Sequence, residues 1–190
     1  MNLFISILII AGISLDVFAT MEVEGAMISE IKKEQMVVAC AVTTGLSLLF
    51  FFTGYFVCYK INEYDVFSYE ERTSSIIAAV VFVLLGIRLI VKAIRKEFTQ
   101  ETRQEFKLKQ YLRLVVTTSF YTLATGCACG LVEADPIVMM ITIVICFVLV
   151  VIFGILTGYH FGFELKTYAY AAGSVLLWVA AIYLMITEFL

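Results

Sequence analysis

The sequence predicts an all-α membrane protein, with six transmembrane helices arranged as two inverted three-helix repeats. Three observations carry that reading. The chain is 62% hydrophobic with a mean hydropathy of +1.00, against about 45–50% apolar for water-soluble chains. Only 15% of its residues are charged, and most of these fall between long apolar runs. The third observation is internal repetition. Ser14-Leu15-Asp16-Val17-Phe18-Ala19-Thr20 in the first run returns as Ser119-Phe120-Tyr121-Thr122-Leu123-Ala124-Thr125 in the fourth, at an offset of 105 residues. Gly25 and Gly130 continue that offset, and Thr53-Gly54-Tyr55 in the second run answers Thr157-Gly158-Tyr159 in the fifth. Repeats of this kind are common in secondary transporters, whose substrate sits at the seam between them.

Crossing the hydrocarbon takes roughly 20 apolar residues as a helix. Six stretches reach that length, at about Leu3–Met21, Met36–Tyr59, Ser74–Ile94, Leu112–Leu131, Ile137–Tyr159 and Tyr168–Ile186. Helices are expected because lipid offers the backbone no hydrogen-bond partners, and the runs are apolar all round rather than alternating as in a β-barrel. The first run is expected to be a span and not a cleaved signal, since Met1-Asn2-Leu3 carries no basic residue. The expected organisation is one membrane domain, 1–190. Repeat one covers about 1–98, a basic cytoplasmic linker about 92–112, and repeat two about 111–190.

Lys and Arg set orientation. Lys92, Arg95, Lys96, Arg103, Lys107, Lys109 and Arg113 cluster around the third linker, while the second and fourth carry mostly acids. Every odd-numbered linker is the more basic, which predicts both termini outside. Glu97, Glu101 and Glu105 interrupt the basic cluster, so it reads as a topological anchor and not a nucleic-acid surface. The lipid bilayer is the expected partner, and a homo-oligomer is left open.

Asp16 is the one acid well inside an apolar run, and such residues usually face a cavity or a partner. At helical spacing Asp16, Thr20 and Glu24 form a stripe, with Gly12 one turn earlier allowing a close helix approach. Glu22 points elsewhere. Span four carries its own stripe of Thr118, Thr122, Thr125 and Cys129 flanked by Ser119 and Tyr121, and span two offers Thr43, Thr44 and Ser47. These hydroxyls could equally bond back to their own helices. Gly126 and Gly130, and Gly154, Gly158 and Gly162, read as helix-packing positions. Arg88 either snorkels to the cytoplasmic surface or is a counter-charge for Asp16 or Glu24.

Carboxylate and hydroxyl oxygens suit hard divalent ions. His160 is the sole histidine, which excludes a histidine-rich zinc or copper site. Five scattered cysteines without C-x-x-C spacing read as small apolar filler. No catalytic set is visible, so an enzyme is not expected.

At these residues the chain resembles the manganese efflux pump family, the MntP-like proteins of bacterial inner membranes. The family's Ser-x-Asp-Ala-Phe-Ala is similar to Ser14-Leu15-Asp16-Val17-Phe18-Ala19, and its Leu-Gly-x-Arg-Met-Ile to Leu85-Gly86-Ile87-Arg88-Leu89-Ile90. Length, six spans and repeat layout agree, so the resemblance covers nearly the whole chain. It implies a multi-pass inner-membrane protein that exports Mn(II) as substrate through a site between the repeats, with no permanently bound cofactor. Asp16 is the metal-binding residue that the resemblance implies. Two family carboxylates are replaced, one by Tyr121 and one by Thr43 after Ala41-Val42, leaving Glu22 and Glu24 as acids that could stand in. The candidate metal set is therefore Asp16, Thr20, Glu24 and Thr43, and the candidate path is Ser14, Ser119, Tyr121, Thr122 and Arg88. Two other readings compete: a diverged relative that does not transport and acts as a membrane interaction partner, and an exporter of another small solute.

Overall fold

A computed structural model describes residues 3–28, 33–63, 71–94, 108–162 and 164–189. Its elements are six helices: α1 (Leu3–Met27), α2 (Lys33–Glu63), α3 (Glu71–Ile94), α4 (Leu108–Leu131), α5 (Pro136–Phe161) and α6 (Glu164–Phe189). Each contains a stretch long and apolar enough to cross a membrane. The all-α membrane fold is as the sequence predicts. Helices α2 and α4 run several residues past their predicted starts, because backbone hydrogen bonding continues where the side chains turn polar. The basic residues expected in the third linker, Arg95 to Lys107, lie outside the described residues, as do Lys32 and the acidic stretch 64–70.

Short-range chemistry fixes the tight α4–α5 turn. Glu133 takes a positive φ of 50°, and the Ala134 N–H donates back to the Cys129 carbonyl at 3.1 Å. Asp135 then caps α5, its carboxylate accepting from the Ile137 N–H at 2.9 Å with Pro136 in the first turn. At the other end Gly162, with φ 72°, stops the helix. Gly162 was expected to continue the glycine ladder of span five; no atom lies where its Cβ would pack, so it is a cap instead.

Helix pairing follows the sequence repeat. α1 packs on α5 and α6; α4 packs on α2 and, less extensively, on α3. Exchanging α1 with α4, α2 with α5 and α3 with α6 turns each of these pairings into another that is present. α3 against α6, α2 against α5 and the slight contact of α1 with α4 map onto themselves, while the slight contact of α5 with α6 has no counterpart among these pairs. Glycines set the depth of the two matching seams. A Cβ on Gly158 would fall on the Glu22 carbonyl, and one on Gly25 on that of Ile155, so α5 lies against bare α1 backbone. Gly54, Gly126 and Gly130 do the same between α2 and α4, meeting the backbones of Leu123, Phe51 and Tyr55. Gly12 does admit another helix, α6, where a Cβ on Gly173 would sit 2.8 Å from the Gly12 carbonyl oxygen.

α1 is the central helix: its apolar window is 67% buried, against 28% for α2 and for α5. Large apolar side chains such as Leu49, Phe120, Phe153 and Ile182 are exposed on the outer surface, as a lipid-facing perimeter requires. Asp16 and Glu22 on α1 are thus held in the interior.

Candidate ion-binding site

Asp16 lies at the middle of α1 and is 2% exposed. Its Oδ1 accepts from Lys92 Nζ at 2.6 Å. Lys92 sits in the last turn of α3, and α1 and α3 are not among the extensively packed helix pairs, so the lysine bridges a gap that α4 and α6 flank. Four residues earlier on the same face, Arg88 turns toward α4 and lays its guanidinium over the Tyr121 ring, 2.9 Å from the centroid. Lys92 Nζ is itself 5.2 Å from the Tyr121 centroid and 5.3 Å from that of Tyr170 on α6. Beside this ion pair lies a crevice with room for about one water molecule, lined by Ile13, Asp16, Leu85, Arg88, Leu89, Tyr121, Thr125 and Leu177.

The crevice is therefore the convergence of α1, α3, α4 and α6, and it contains Asp16 and Tyr121, the two residues that the sequence repeat relates. One carboxylate there faces two cations. The ammonium is bound to the carboxylate and the guanidinium to a ring face, so each cation has its own helix as partner. The pair rests on close geometry, because the Asp16 carboxylate has given up its water.

Of the candidate metal residues, Asp16 alone lines the crevice. Thr20 is buried, but its hydroxyl donates to the Asp16 carbonyl at 2.8 Å, within α1. Glu24 is half-buried further along the helix. Thr43 shares a short hydroxyl pair with Tyr111, whose O–H also lies 3.0 Å from the Ala39 carbonyl, so it ties α2 to α4. Among the described residues, no three His, Cys, Asp or Glu side chains gather closely enough to hold a metal ion together.

Of the path candidates, Arg88 and Tyr121 line the crevice; Ser14, Ser119 and Thr122 do not. Ser14 and Ser119 bond to carbonyls of their own helices, Ala11 and Val115, each at 2.8 Å. The Thr122 hydroxyl is buried with no hydrogen-bond partner. Thr125 joins the crevice while donating to the Tyr121 carbonyl at 3.0 Å, which leaves its oxygen free to accept. Glu22 indeed points away from the stripe: fully buried, it accepts from the Leu165 N–H at 2.8 Å and so caps the first turn of α6.

Arg88 is not the partner of Asp16; Lys92 is. The available signal was spacing, since Lys92 repeats the face of Arg88 one helical turn later. A lysine closing a span reads first as an interfacial anchor, which hid it.

Six helices each long and apolar enough to cross a membrane define a multi-pass membrane protein. Residues 30–185 match the family described as "Putative manganese efflux pump", and the chain belongs to that family. The match spans α2 to α6. No curated protein and no solved structure matches the chain.

Proposed function

We propose that the chain exports Mn(II) across the bacterial inner membrane, with both termini outside, taking the ion at Asp16 between inverted repeats. The observation that supports this is a single carboxylate buried in the central crevice of a chain from the manganese efflux family. Mn(II) is a hard ion that accepts carboxylate, hydroxyl and water oxygens. Asp16 would supply the charge and Thr125 a neutral oxygen, and the helices would part to admit the ion with any water it keeps. Such a site is weak and exchanges quickly, as a carrier requires. Thr20, Glu24 and Thr43 would then support the helix and its neighbours without ligating.

The test is cellular manganese in an exporter-deficient bacterium under manganese stress, with membrane levels of each variant matched. The native chain lowers manganese and Asp16→Asn does not. Full activity in Asp16→Asn sinks the proposal.

One observation favours a second reading. Two cations against one carboxylate leave the crevice with a positive balance, which suits a small anion. Under that reading Arg88→Gln is the more damaging change, and manganese content is insensitive to the native chain.

A further inference from the structure

We propose that Lys92 is an exchangeable counter-cation: its ammonium occupies Asp16 when no metal is bound, Mn(II) must displace it to load, and its return expels the metal. This rests on the reading of Asp16 as the metal-binding carboxylate and assigns the residue that controls it.

The argument begins with charge. Asp16 offers the crevice one negative charge, and Oδ1 is already engaged at 2.6 Å. A divalent ion on the same carboxylate would stand at contact distance from the ammonium, inside a low-dielectric interior. Repulsion between like charges at that range excludes joint occupancy. Arg88 does not relieve it, because its guanidinium is stacked on Tyr121.

Geometry makes Lys92 the mobile partner. The Lys92 side chain is 28% exposed and the Asp16 side chain 3%, so the lysine has a way out and the carboxylate does not. Its four-carbon stem swings freely, whereas Asp16 has a single carbon from the backbone. It also has somewhere to go. The Tyr170 ring lies 5.3 Å from Nζ, close enough for its face to receive the ammonium once the carboxylate is taken. The exchange balances without a proton: the ammonium stays protonated, leaves Oδ1, and the metal–carboxylate contact forms in its place. On release the reverse step covers the carboxylate again, and the empty carrier need not carry a bare charge through the membrane.

The test uses the full chain in lipid nanodiscs, with free Mn(II) read by its electron paramagnetic resonance signal. Lys92→Gln removes the competitor and lowers the Kd for Mn(II) at least tenfold, while efflux in reconstituted vesicles slows because release is no longer driven. A lysine that only held the helices together would lower affinity on removal. An unchanged or higher Kd in Lys92→Gln, with binding in the native chain abolished by Asp16→Asn, overturns the proposal but leaves the metal site standing. Binding by Asp16→Asn as tight as native overturns both. If Lys92→Gln is not recovered folded, Lys92→Arg gives the answer with the opposite sign. A guanidinium gripping both carboxylate oxygens raises the Kd several-fold, and an unchanged Kd overturns the proposal.

Discussion

α1 and α4 hold corresponding places in the repeat, and each is seated on a glycine seam against a helix of the other half, yet they bring opposite chemistry to the crevice. α1 brings Asp16, a carboxylate that binds an ammonium by charge. α4 brings Tyr121, a ring that binds a guanidinium by its face. On the proposed reading the first bond is the exchangeable one, because a metal ion would compete for the same oxygen. The second is not, since a ring offers a divalent ion no negative charge to replace what it loses in hydration. The glycine packing recurs in both seams and the charged partner does not, so the proposed exchange is confined to α1.

The largest effect should come from breaking the shared packing, and it should be alike in both halves. In Gly158→Ala the new methyl lands on the Glu22 carbonyl, and in Gly126→Ala on that of Phe51. Neither obstacle is a flexible side-chain end, so the helices must part, at a cost of about 3 kcal/mol in each variant. Thermal unfolding of the purified protein in detergent measures this. A Gly126→Ala protein as stable as native would mean that the α2–α4 seam is not the counterpart of the α1–α5 seam. Gly45→Ala is the control: nothing lies near its Cβ, and the change falls within about 1 kcal/mol, to the stabilising side.

This division also explains what could be read without coordinates. Spans are legible because lipid demands long apolar runs, and Asp16 stands out because nothing in such a run should be charged. The seam glycines are legible from the repeat. Residues that act by reaching between helices are not. Lys92 and Asp16 are 76 positions apart, and their meeting depends on α4 and α6 holding α1 and α3 at the span of one lysine. The Thr43–Tyr111 pair is hidden for the same reason. Conversely, the Asp16–Thr20–Glu24 stripe is correct as helical geometry, yet of the three only Asp16 lines the crevice, because residues on one line of a helix face different neighbours. Asp16 meets α3, and Thr20 turns its hydroxyl back to its own backbone.

The second prediction addresses the α4 arm directly. Tyr121→Phe keeps the ring face and should leave manganese efflux within about twofold. Tyr121→Leu removes the face, costs about 2 kcal/mol of stability, and frees Arg88 to compete for Asp16, so efflux falls several-fold. Vesicle efflux with unfolding measurements on the same preparations separates the two effects. If Phe were as damaging as Leu, the phenol oxygen would be the important group, and α4 would contribute a ligand after all.

The smallest effect tests whether position outside the crevice means what it is taken to mean. Thr43 is one of the candidate ligands, yet its hydroxyl serves Tyr111 and does not line the crevice. Thr43→Val removes one hydrogen bond, and Tyr111 keeps its contact with the Ala39 carbonyl at 3.0 Å, so no buried hydroxyl is left stranded. The expected cost is about 1 kcal/mol, seen as a small drop in unfolding temperature, with manganese efflux at the native rate. A loss of efflux at unchanged stability would bring Thr43 into the ion's path. The exchangeable site would then extend from α1 toward α2, and the one-sided picture would have to give way to a longer channel of oxygens.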